Sequence, residues 1–187
     1  SMADPQLLCV QMTLTSDRAQ NVTIQARLDD RVANLPVHDD QMVEETETVP
    51  LLKTLEKAND TLTMQTISSG RHIRFLQQVL INGEQFSGCS FAVSLRAGQP
   101  TLIEKRIRVL MDQEPTNAES DDPWKAHTDA WAALWRDCDI TLVADEEIQG
   151  AIRWNIFQLL CSNAADDPHV SIGARGLTHG RYKGNAF

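Results

Sequence analysis

The sequence predicts an antiparallel β-sandwich followed by helices, and three observations carry that expectation. Over most of the first 111 residues, apolar and polar residues alternate with a period of two. Turn dipeptides punctuate these runs, with no helical pattern between them. Beyond residue 113 the composition shifts, and apolar positions recur at helical spacing instead.

Each element follows in chain order. Leu8, Val10, Met12 and Leu14 alternate with Cys9, Gln11, Thr13 and Thr15. Val22, Ile24, Ala26 and Leu28 repeat the pattern, as do Leu62 with Met64, Ile73 with Phe75, and Val79 with Ile81. Cys89, Phe91, Val93 and Leu95 form a further strand, and Ile107, Val109 and Met111 the last. Such alternation suits a strand with one face on a core and the other on water. Ser16-Asp17, Asn59-Asp60, Ser69-Gly70, Asn82-Gly83 and Ala97-Gly98 mark turns. The acidic residues 38–48 read as an exposed loop, and Glu114–Asp122 as a linker. Asp122 is placed to cap a helix opened by Pro123, because proline is favoured at the first helical position. Trp124, His127, Trp131, Leu134 and Trp135 share one face of that helix. A second helix is expected over about 145–161, with Glu146 and Glu147 at its positive end. The expected boundaries are a sandwich at 1–112, a linker with helices at 113–165, and a further segment at 166–187.

Composition excludes several classes of protein. The 187 residues carry a net charge of −9, which disfavours nucleic-acid binding, since that needs surplus Lys and Arg facing phosphate. No apolar run approaches the roughly 20 residues that span a bilayer. Cys9, Cys89, Cys138 and Cys161 are scattered, so they read as reduced, mostly buried thiols in a cytoplasmic protein, without zinc-ligand spacing.

The chemistry-bearing residues concentrate at the end of the chain. Gly173, Gly176, Gly180 and Gly184 are interleaved with Arg175, His179, Arg181, Tyr182, Lys183 and Asn185, and Phe187 follows. Glycine permits close approach of a ligand, and cationic, aromatic and amide groups between glycines suit a polyhydroxylated or anionic small molecule. Elsewhere the bland readings hold. The tryptophans at helical spacing read as packing residues, with sugar stacking as the alternative. Asp137, Asp139 and Asp145-Glu146-Glu147 fit no metal loop, so no metal is expected.

Ala174-Arg-Gly-Leu-Thr178 followed by Tyr182-Lys-Gly-Asn-Ala-Phe187 resembles the segment preceding the Trp-Asp-Thr-Glu motif of glycoside hydrolase family 65. Trp131-Ala-Ala-Leu-Trp135, Cys138-Asp-Ile140, Asp145, Gln149, Ala151-Ile-Arg153 and Phe157 follow the same family's pattern, and residues 3–33 resemble strands within its N-terminal domain. The likeness is weakest between residues 36 and 60. It implies an internal fragment of a longer enzyme: part of the family's β-sandwich, linker helices, and from 166 the start of an (α/α)6 barrel. It implies an inverting α-glucoside phosphorylase, acting on an α-linked disaccharide with inorganic phosphate as co-substrate and no cofactor, as a homodimer. A family hydrolase of trehalose or a related glucoside is the nearest alternative. A non-catalytic carbohydrate-binding sandwich is the alternative from another class. Under the leading reading Arg175, His179, Tyr182, Lys183, Asn185 and Phe187 bind substrate, and the catalytic acid lies outside these 187 residues. Relatives carry Gly-Glu-Gly-Tyr-Lys-Gly-His where this chain reads His179-Gly-Arg-Tyr-Lys-Gly-Asn185. The amide at 185 can bond sugar hydroxyls but cannot serve as an acid or base.

Overall fold

The computed structural model describes residues 3–31, 50–112, 114–118, 120–143 and 145–162. Eight strands come first: β1 (Leu7–Leu14), β2 (Gln20–Gln25), β3 (Leu52–Lys57), β4 (Thr61–Thr66), β5 (His72–Ile81), β6 (Glu84–Phe86), β7 (Ser90–Leu95) and β8 (Thr101–Met111). Two helices follow, α1 (Pro123–Cys138) and α2 (Glu146–Cys161). The chain divides into two compact units, with the boundary inside α1 between Ala130 and Trp131.

The first unit holds two sheets. One runs in the order β1-β8-β5-β4-β3, with β6 also paired to β5; β2 and β7 form the other. All of these strand pairs are antiparallel. The tightest turn joins β5 to β6 through Asn82-Gly83, with φ of 51° and 87°. Both angles lie in the left-handed region that a two-residue hairpin requires, and Asn-Gly tolerates it best. β3 lies where the sequence offered no clear alternation, and a register shift between Thr54 and Glu56 explains why.

The main core joins the sheets: Val79, Ile81 and Ile103 from one pack with Phe91, Val93 and Leu95 from the other, and with Ala26. A second cluster gathers Leu28, Leu62 and Met64. Polar staples hold the segment after β2 in place. Gln77 Nε2 donates to the Ala26 carbonyl at 3.0 Å, and Lys105 Nζ to the Arg27 carbonyl at 2.8 Å. Burial pushes the Lys105 ammonium down from its ordinary value.

The structure corrects three expectations. Leu8, Val10 and Met12 alternate as predicted, yet they are 52%, 59% and 44% exposed, while Leu7 on the opposite face is buried. β1 is the terminal strand of its sheet, and the main core forms over β5 and β8 instead. On β8 the deeply buried residues are Ile103 and Leu110, seven positions apart and so on opposite faces. Both faces of this strand therefore carry covered positions. The four cysteines are free as expected, but none is buried, and Cys161 is exposed.

Helix starts match the sequence closely. The Lys125 amide donates to Asp122 Oδ1 at 2.9 Å. Asp145 caps α2, accepting from the amides of Glu147 and Ile148 at 2.9 and 3.2 Å. Asp145→Ala should therefore cost about 1 kcal/mol, read as a lower unfolding free energy, and Asp145→Ser should recover most of it. No helix among the described residues is long and apolar enough to cross a membrane.

Candidate functional site

Arg175, His179, Tyr182, Lys183, Asn185 and Phe187 all lie outside the described residues, as does the 38–48 loop. The described structure supplies the helices that precede the glycine-rich segment. In the second unit the aromatic residues form a seam. Trp131 stacks on Trp135 with centroids 6.4 Å apart, and its ring lies 5.4 Å from Phe157. Trp154 touches Phe157 at 5.8 Å but is 62% exposed. In the first unit Trp124 is also mostly exposed, against His127, so the predicted stripe is buried only in part.

The acidic residues in this region have structural roles. Asp139 takes a two-point bond from Arg153, with Nε at 3.0 Å and Nη2 at 2.6 Å. The guanidinium holds the Asp139 carboxyl below the usual carboxylate range. Gln149 reads the turn between the helices, donating to the Ile140 carbonyl and accepting from the Leu142 amide. Asp139 and Gln149 thus lock the α1–α2 turn, and Asp145 caps the helix after it. Asp139 is committed to Arg153 and Asp145 to backbone amides, which leaves neither carboxylate set up for proton transfer. Among the described residues no group of three His, Cys, Asp or Glu is placed to hold a metal.

α2 carries apolar side chains on several sides, alongside Glu146, Glu147, Gln149, Arg153, Asn155 and Gln158. Ile148, Trp154 and Leu159 are exposed, and Ile152, Ile156, Phe157 and Leu160 are half-buried.

The sandwich also carries an open polar depression of about 410 Å³, lined by Ala58, Asn59, Asp60, Thr61, Ser87 and Gly88. Sequence reasoning marked Asn59-Asp60 only as a turn. Asp60 is committed locally: its carbonyl accepts from the Gln77 amide at 2.7 Å, and its Oδ1 from the Gly88 amide at 3.3 Å. Those bonds tie the Asp60 turn to β5 and to the Gly88 loop.

A two-sheet antiparallel sandwich followed by a closely capped helix pair defines a β-domain that leads into a helical region. Residues 1–139 match the family model described as Glycosyl hydrolase family 65, N-terminal domain, and the chain belongs to that family. Maltose phosphorylase of Bacillus subtilis (strain 168) is 37% identical over 86 residues, 46% of this chain and 11% of that protein. Kojibiose phosphorylase of Caldanaerobacter subterraneus subsp. tengcongensis is 45% identical over 67 residues, 36% of this chain and 9% of that protein. A solved structure provisionally assigned as a kojibiose phosphorylase from human microbiome aligns over 97% of this chain and 26% of its own, with a TM-score of 0.66 and 17% identity. That likeness concerns the fold alone. The matched regions span about a tenth of the length of these curated relatives.

Proposed function

We propose that the protein carrying this chain is an inverting disaccharide phosphorylase. Its phosphate oxygen attacks the anomeric carbon of an α-linked glucoside as the bond to the leaving sugar breaks. A carboxylic acid gives its proton to the leaving oxygen, so the products are a β-sugar 1-phosphate and a free sugar. Phosphate is already anionic and needs no general base, unlike the water of an inverting hydrolase. The observation that carries this reading is the family match over residues 1–139, joined to relatives that are named maltose and kojibiose phosphorylases. The free cysteines suit a reducing, cytoplasmic setting.

In this reading residues 1–112 are a sandwich scaffold, 113–165 the linker and helices, and 166–187 the opening of a catalytic helical barrel. Arg175, His179, Tyr182, Lys183, Asn185 and Phe187 then line the glucose subsite, and the general acid comes from elsewhere in the protein. The reading also makes the enzyme a homodimer without a cofactor.

The test uses the whole protein with maltose, kojibiose and trehalose, with and without phosphate. Sugar 1-phosphate should form only when phosphate is present. Equal turnover without phosphate would make the protein a hydrolase. The 187-residue chain alone should turn over none of the three. Arg175→Ala and Tyr182→Ala should each lower turnover of the whole enzyme about 10- to 100-fold, the loss expected for one strong hydrogen bond, with an unchanged melting temperature. Full activity in both variants would show the segment to be scaffold.

A further inference from the structure

The chain leaving β8 is tied back to the start of β1. Gln6 Nε2 donates to the Pro115 carbonyl at 3.1 Å, and the Asn117 amide donates to Gln6 Oε1 at 3.0 Å. Asn117 Nδ2 donates to Asp4 Oδ1 at 3.0 Å. Asp4 is itself fixed, since its other oxygen accepts from Arg108 Nη1 at 2.9 Å, and its Oδ1 also accepts from the Gln6 amide. Two side chains more than 100 residues away in sequence thus grip one short stretch of linker at three points.

The anchor is incomplete. Arg108 is 7% exposed, and its Nη2 is buried without a hydrogen-bond partner among the described residues. A buried donor without a partner costs free energy, and the strap bonds the carboxylate that pairs with this guanidinium. Gln6 and Asn117, by contrast, are exposed at their bonds to the linker. Their hydrogen bonds exchange with water more readily than those of the β5–β8 pairing.

We propose that residues 114–118 form a strap with its own opening equilibrium: Gln6 and Asp4 clasp it, and it releases the chain running toward α1 while the sheet beneath stays folded. The closed clasp holds that chain in one course beside the start of β1. The open clasp frees it and admits water to Arg108.

Hydrogen exchange on the whole protein tests this with Gln6→Ala, which leaves every side-chain bond of the Asp4–Arg108 pair in place, and with Asn117→Ala, which removes the bond to Asp4 Oδ1 but keeps the Asp4–Arg108 bond. The amide of residue 117 should exchange more than tenfold faster in Gln6→Ala, while β5 and β8 amides keep their native protection. Cleavage by a glutamate-specific protease after Glu119 should accelerate in both variants. Unchanged exchange at residue 117 would show that Gln6 does not hold the strap. A matching loss of protection in β5 and β8 would show that the strap unfolds only with the sheet. Either result overturns the proposal.

Discussion

Leu110→Ala should destabilise the sandwich by about 3 kcal/mol, within the roughly 2–5 kcal/mol seen for truncating a fully buried leucine. Leu110 is 1% exposed and lies near the end of β8, where it pairs with Arg74 of β5. Its removal forfeits burial and leaves a cavity beside the β5–β8 pairing. Leu8→Ala is the internal control. That leucine is half exposed on the edge strand of the same sheet, so its loss should cost under about 1 kcal/mol. Urea unfolding of both variants checks the contrast. Equal effects would mean that β1 is covered in solution.

Asp4→Ala should cost about 3 kcal/mol, near the low end of the roughly 3–5 kcal/mol for breaking a buried ion pair. The side chains of Arg108 and Asp4 are 8% and 15% exposed. Truncation leaves the guanidinium charge in place with its carboxylate gone. The pair also sets a pH dependence. Burial pushes the Asp4 carboxyl up, but bonds from Asn117, Arg108 and Gln6 together outweigh it and hold the group below its ordinary value. A carboxyl lowered by folding stabilises the native state above its unfolded pKa, and that contribution fades as pH falls through the folded value. The gap in unfolding free energy between wild type and Asp4→Asn should therefore be widest near neutral pH and close in acid. A gap that stays constant down to about pH 2 would show that Asp4 does not titrate with folding.

These two residues show how differently local and long-range information reads. Nothing in the alternation Lys105-Arg-Ile-Arg-Val109 distinguishes Arg108 from a solvated arginine. It is buried because β1 arrives beside β8 from about 100 residues away, with Leu7 opposite Arg108 and Asp4 just before it. The tryptophans divide in the same way. Trp131 packs against both Trp135 and Phe157, while Trp124 and Trp154 stay largely exposed although each touches one aromatic ring. The predicted glucose-binding segment was legible only through the family resemblance, since glycines and cations alone fit a solvated loop equally well.

The sequence by itself determined what depends on neighbours along the chain. The period of two marked the strands, Asn82-Gly83 the hairpin turn, Asp122 and Asp145 the helix starts, and the motif residues the family. Only the tertiary structure decided which side of each strand is covered. Leu8, Val10 and Met12 carry the right pattern on a strand at the sheet's edge, whereas Leu7, Arg108 and Leu110 are buried without it. Backbone geometry repeats every two or 3.6 residues and so leaves a local imprint. Burial depends on which distant segment comes to lie alongside, and no window of sequence contains that segment.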